Sequence, residues 1–417
     1  MLKNTLFKNT LKLLVYTTLI FIIGISLFIF RPWADAQGWR FFTGLNPFAT
    51  RAEVFSNWQT VSEQVHLKAS TNPRQYKRDL TDLNSISYEY NGETYTAKDY
   101  FSKANLTGLM VLTDNKVVVE NYSQGINKET TYHLWSASKS FTATVVGIAV
   151  REGKIESLND RVDKYAPQFK GTAYGETPIK HVLMMSSGID FFHHKGKPNR
   201  INMYVDTFIL KQNFDEWAAT LGRRSESGTD FNYIATDTHV LSRVVEGAYK
   251  KPYIDIVQEK LWTPGGFSSD AQWGIDSAGN PMGHCCLSVT LQDFAHLGQI
   301  HLEDLVFNGR KVVTDDWLEM VQNAQGSFQE PQITEDGRYQ DGYSMQWWLP
   351  LDYDQEFIAR GASGQYLYVN KKDNYVIAQF SSRGNVGKKE EITFYRAVGK
   401  HLKQRDQNSS TKYREEI

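Results

Sequence analysis

Cysteine is scarce in this chain of 417 residues: there are two, Cys285 and Cys286, and they are neighbours. Adjacent cysteines rarely meet disulfide geometry without backbone strain, so a disulfide scaffold is excluded. The pair is expected to be dispensable for chemistry. His284 stands beside them, but three consecutive ligand-type residues lack zinc spacing, and no metal is expected. Net charge is nearly absent too. Lysine and arginine number 46 against 47 aspartates and glutamates, a formal charge of -1. No basic field advertises nucleic-acid binding. No internal repeat is visible. What remains is the composition of an ordinary folded protein, 41% hydrophobic, 13% aromatic and 22% charged. That is enough apolar material for a large core, and it argues against global disorder.

The first thirty residues differ from the rest. Lys3, Lys8 and Lys12 precede an uncharged run from Leu13 to Phe30. The run is just long enough to cross a bilayer as one helix. Lysines on its N-terminal side predict a cytoplasmic N-terminus and an extracytoplasmic remainder. The expectation is a single transmembrane anchor at the cytoplasmic membrane, with the bilayer as partner of residues 13–30. The rival is a signal peptide cleaved after Ala36, in Ala34-Asp35-Ala36, which would leave a secreted or periplasmic protein.

Residues 31–104 read as a linker and irregular extension. A hairpin follows, with Gly108–Leu112 and Val117–Tyr122 flanking Asp114-Asn115. Ser136 to Arg151 carries a helical apolar pattern through Phe141, Val145, Ile148 and Ala149, and Gly153 suits its C-terminal cap. The middle is rich in helical patterns, including Thr238 to Tyr249. A second hairpin joins Gln365–Val369 to Tyr375–Phe380. Residues 389–403 look like a terminal helix, and the tail 404–417 is polar. Strands at both ends around a helical middle imply one discontinuous α+β domain over 105–403. An antiparallel sheet flanked by helices would face a mostly helical lobe across a cleft.

Three motifs carry chemistry. In Ser136-Ala137-Ser138-Lys139, positions i and i+3 share a helix face, so Ser136 can stand beside the Lys139 amine. A serine hydroxyl becomes nucleophilic when a neighbour takes its proton, and a desolvated, neutral lysine can do so. The helix N-terminus adds partial positive charge where an oxyanion would form. Spacing alone is weak, because Ser409-Ser410-Thr411-Lys412 repeats it in the polar tail. Context distinguishes Ser136: His133-Leu134-Trp135 leads in, and an apolar helix follows. In the second motif, Phe231-Asn232-Tyr233-Ile234-Ala235, Tyr233 is placed to shuttle a proton to a leaving group. Alone, it reads equally as a core aromatic. The third is Arg360-Gly361-Ala362-Ser363-Gly364-Gln365, where glycines before a strand let backbone approach a ligand. Alone, it reads as a turn.

Together these stretches resemble the serine β-lactamase and DD-peptidase superfamily in its class C-like branch, over roughly residues 105–400. Val182–Gly188, Leu291–Ala295, Gly342-Tyr343 with Trp347-Trp348, and Gly364–Val369 add to the resemblance. Within the branch they are most similar to 6-aminohexanoate-dimer hydrolase and related carboxylesterases. The resemblance implies a helical lobe on an antiparallel sheet, no metal and no organic cofactor. It implies a Ser136 acyl-enzyme, Lys139 as base and Tyr233 as proton donor. The backbone N–H groups of Ser136 and Ala362 would form the oxyanion hole, with Gln365 as the alternative second donor. Arg360, Gly361 and Gln365 would contact substrate. Two departures stand out. Ala235 replaces an asparagine and Ala359 replaces a lysine, both groups that would hold a β-lactam. The expected activity is hydrolysis of a small-molecule ester or amide. A peptidoglycan DD-peptidase and a silent binding protein of the same fold are the alternatives.

Overall fold

The computed structural model describes residues 14–22, 50–191, 212–382 and 386–415, with Met203, Thr207 and Gly384. In chain order the strands that matter are β1 (Gln64–Leu67), β2 (Lys77–Arg78), β3 (Leu106–Thr113), β4 (Lys116–Tyr122), β5 (Tyr132–His133), β6 (Ala271–Gly274), β7 (Leu287–Val289), β8 (Gly342–Ser344), β9 (Trp347–Leu349), β10 (Glu356–Gly361), β11 (Gln365–Asn370) and β12 (Tyr375–Ser381). The large sheet has eight strands in the order β8-β9-β10-β11-β12-β3-β4-β2, antiparallel except for the β2–β4 pair. The C-terminal hairpin thus pairs with the N-terminal one through β12 and β3, which closes the discontinuous domain. Asp114 and Asn115 both have positive φ, 48° and 59°. Two left-handed residues in a two-residue loop match the right-handed twist of a hairpin.

Both faces of this sheet are covered, and strand alternation assigns the side chains. Met110 and Leu112 of β3 enter the larger core, against the helical lobe. Leu109 and Val111 enter a second core on the opposite face. There the helices α1 (Ala97–Ala104) and α5 (Lys388–Glu415) close the sheet. On the lobe side lie α2 (Ser138–Arg151), α3 (Ala235–Tyr249) and α4 (Leu291–Leu302). Helix α4 lies across β11, β12 and β3, and α2 packs on α3. Gly153, with φ 69°, follows α2 as its left-handed terminator.

Several expectations change. Within the extension, residues 50–104 are folded, not irregular. β1 pairs with β6 in a four-stranded sheet of order β1-β6-β7-β5. Phe55 and Trp58 are buried in the larger core. The terminal helix runs to Glu415, well past residue 403. Of the expected membrane span 13–30, only 14–22 is described. It is helical, with Leu14, Ile20, Phe21 and Ile22 exposed. Among the described residues no helix is long and apolar enough to cross a membrane. Lys3, Lys8, Lys12 and the Ala34–Ala36 cleavage sequence lie outside the described residues. Cys285 and Cys286 correct the reading made of them: they form a disulfide with each other. The uncommon geometry comes with a left-handed backbone at Cys286, where φ is 76°.

Candidate active site

Ser136 sits in a single 3₁₀ turn, Trp135–Ala137, wedged between β5 and α2. The turn is held from all sides. Trp135 has φ 52°, a conformation that costs a large non-glycine residue about 1–3 kcal/mol. Aromatic packing from the N-terminal extension holds it there. The Trp58 ring stacks on His133 at 3.6 Å, and Trp58 and Phe55 meet Trp135 edge-on at 5.0 and 5.6 Å. The Ser138 hydroxyl donates to the Trp135 carbonyl at 2.7 Å and accepts from the Leu287 N–H at 3.3 Å. From the sheet side, Gly361 at the end of β10 abuts the same segment. A Cβ there would lie 2.0 Å from the Leu134 carbonyl oxygen. Only glycine permits that approach.

Lys139, in the first turn of α2, is 2% exposed. Its ammonium nitrogen donates to the His284 carbonyl at 2.6 Å and lies 5.5 Å from the centre of the Tyr233 ring. Tyr233 stands just before α3, half-buried, as Ser136 is. The Asn232 N–H fixes that segment by donating to the Met185 carbonyl at 2.7 Å. One wall beside Tyr233 is aromatic. Trp348 and Tyr343 lie 4.9 and 5.7 Å from its ring, and Phe231 lies 5.3 Å from Tyr343.

The third motif divides. Ala362 is exposed at the tip of the β10–β11 turn, where Ser363 and Gly364 have φ 66° and 95°. Gln365 is fully buried. Its amide donates to the Ser381 carbonyl at 2.8 Å and accepts from the Ser381 N–H at 3.1 Å, stitching β11 to β12. Arg360 corrects the expectation that it meets substrate. Alternation along β10 sends Phe357 and Ala359 to the lobe side, and Arg360 with Ile358 to the opposite face. There it pairs with Glu391 at 2.6 Å and Asp341 at 3.3 Å, beneath α5.

Residues 104–400 match the family model described as Beta-lactamase. The chain belongs to the Beta-lactamase family. It is a hydrolase of the serine-hydrolase kind. The 6-aminohexanoate-dimer hydrolase of Paenarthrobacter ureafaciens is 28% identical over 293 residues, covering 66% of this chain and 71% of that one. A Psychrobacter immobilis β-lactamase is 30% identical over 101 residues, 22% of this chain and 25% of its own. Among solved structures, a Bacillus anthracis protein described as a 6-aminohexanoate-dimer hydrolase superposes with a TM-score of 0.76 at 20% identity, covering 86% of this chain and 95% of its own. A family VIII carboxylesterase gives 0.56 at 15% identity, covering 72% and 94%. At those identities the superpositions speak for the fold.

Sequence reasoning missed two groups that lie beside Lys139. One is the His284 carbonyl, a backbone acceptor with no signature of its own. The other is Asp237, one turn into α3 and fully buried. Its Oδ1 accepts from the Tyr174 hydroxyl at 2.7 Å and the Ser187 hydroxyl at 2.8 Å. Burial pushes its carboxyl from 3.8 up to about 8, against those two hydrogen bonds and the Lys139 charge. The folded chain therefore keeps a proton that the unfolded chain releases at lower pH. The resulting stability is full below the unfolded value and is lost as pH rises through about 8. Asp237→Asn, neutral throughout, is expected to gain melting temperature relative to the parent between about pH 5 and pH 9. Thermal melts at both values check this. A gap independent of pH would place the titration elsewhere. Among the described residues no group of three or more His, Cys, Asp or Glu is placed to hold a metal.

Proposed function

We propose that this hydrolase cleaves small linear amides or esters through an acyl-enzyme on Ser136. Lys139 removes the Ser136 proton, and the Tyr233 hydroxyl delivers a proton to the departing amine or alcohol. The N–H groups of Ser136 and Ala362 receive the oxyanion. Water then releases the acyl group along the reverse proton path. One observation carries this reading: a lysine 2% exposed, one helical turn from a half-buried serine and 5.5 Å from a tyrosine ring.

The substrate class follows from what faces the cleft. The half-buried Phe231 and Trp348, backed by the buried Tyr343, suit an unbranched aliphatic chain. Ala359 stands where β-lactamases carry a lysine, and the Arg360 charge is consumed on the far face. Losing a charge-assisted contact to a substrate carboxylate costs about 1.5–3 kcal/mol, roughly ten- to a hundredfold in binding. Short acyl esters and ω-amino-acid oligoamides are therefore expected to turn over, and penicillins to acylate slowly or not at all. A panel of p-nitrophenyl esters, 6-aminohexanoate dimer and a fluorescent penicillin tests this. Penicillin acylation outrunning both other classes would favour the DD-peptidase reading. No turnover with any of them would favour the silent binding protein.

A further inference from the structure

The loop between β6 and β7 has one backbone group aimed at Lys139, and the rest of the loop is tied to the fold. The Gly283 carbonyl accepts from the Thr142 hydroxyl at 2.8 Å. The Met282 and Cys285 carbonyls both accept from the Trp273 indole N–H at 2.9 Å. The Cys286 carbonyl accepts from the Gly274 N–H at 2.8 Å. Between them stands the His284 carbonyl, 2.6 Å from the Lys139 nitrogen. The next two residues are the bonded cysteines. Cys286 has φ 76°, a left-handed conformation that a residue with a side chain rarely keeps. The bond to its chain neighbour closes a small ring around that conformation.

We propose that the Cys285–Cys286 disulfide is a thiol-exchange site that holds the His284 carbonyl against Lys139, so that a dithiol reductant turns the hydrolase down. The inference rests on Lys139 being the base. Cys285 is the more exposed residue of the pair, at 8% against 1% for Cys286. A reductant thiolate attacks Cys285 Sγ and expels Cys286 as thiolate, which takes up a proton. The reductant's second thiol then displaces Cys285 as a thiol, and the reductant leaves as its own disulfide. Two electrons and two protons have passed to the pair. Released from the ring, Cys286 relaxes towards the extended region and the 284–286 backbone turns with it. The cysteines touch no reacting atom; they position the acceptor of the base.

Lys139 is surrounded by further titratable groups, which the pH profile must be read against. Tyr233 and Asp237 face it from the α3 side, and His284 faces it from the loop. His239 acts on His284, and Tyr343 borders Tyr233 and Asp237. Burial first, and then the Lys139 and His239 charges, hold His284 neutral. A carbonyl acceptor favours the ammonium form of Lys139, so its loss moves the acid limb of activity to lower pH.

The test uses the full chain. Alkylation under denaturing conditions should label neither cysteine before reduction and both after it. The native enzyme is then treated with dithiothreitol, and fluorophosphonate labelling of Ser136 is timed across pH. The labelling rate at the optimum should fall roughly tenfold or more, as for a misplaced catalytic group. The acid limb should move down in pH, and reoxidation should restore both. A folded Cys285→Ala, Cys286→Ala variant should match the reduced enzyme and ignore reductant. A native bond that resists dithiothreitol overturns the exchange site; if the variant does not fold, the reduced parent decides. Cysteines that alkylate without reductant, or a bond-free enzyme with the parent rate and pH profile, would overturn the proposal. A parent that never labels at Ser136 refutes the acyl-enzyme reading instead.

Discussion

Replacing Lys139 by alanine is expected to cut turnover by about 10²–10⁴-fold, the scale of losing a general base. Ser136→Ala is expected to remove covalent labelling altogether, because no other group on that turn offers a nucleophile to the same oxyanion site. The two effects should not add. Serine and lysine act as a unit, so the double variant should be little worse than Ser136→Ala. Tyr233→Phe separates the proton role from packing. The ring that touches Trp348 and Tyr343 is retained, and only the hydroxyl is lost. A fall comparable to Lys139→Ala assigns the hydroxyl to proton transfer. Near-parental turnover would leave Tyr233 as a wall of the pocket. Steady-state kinetics on the best ester of the panel, with melting curves for each variant, makes the comparison.

The second large effect comes from Gly361, through its contact with the segment that enters the Ser136 turn. Gly361→Ala puts a carbon 2.0 Å from the Leu134 carbonyl oxygen, and the obstacle is backbone, which cannot swing aside. Either β10 or the segment entering the Ser136 turn must retreat. A displacement of about 1 Å at a catalytic group costs on the order of a hundredfold in rate. Gly361→Ala is therefore expected to lose about that factor in kcat. Gly361→Val is expected to lower the melting temperature as well. Turnover per folded molecule and circular-dichroism melts check both. Parental kcat in Gly361→Ala would show that the Ser136 turn does not depend on the sheet edge.

What could be read in the sequence follows from the range of the forces involved. The α2 helix, its Gly153 terminator and the Asp114-Asn115 turn are local, and local propensities declared them. The Ser136–Lys139 spacing stood out because the turn and helix that carry it are local. Arg360 was misread although the signal was present. In a strand its neighbours Ala359 and Gly361 face one way, and it must face the other. The folded extension was invisible because Trp58 and Phe55 earn their place only against His133 and Trp135, far along the chain. Asp237 looked like any helical aspartate until burial beside Tyr174 and Ser187 gave it a raised carboxyl. The His284 carbonyl has no side-chain signature at all. The adjacent cysteines were judged on average geometry, whereas this loop holds Cys286 at φ 76° with the two sulfurs bonded.

In the proposed mechanism the atom that becomes acylated is Ser136 Oγ. The most direct measurement is intact mass followed by peptide mapping, after brief exposure of the full chain to a fluorophosphonate. One added phosphonyl group per chain is expected, mapped to Ser136, and absent from both Ser136→Ala and protein denatured beforehand. A label on another residue, or none on a chain that still hydrolyses esters, would contradict it.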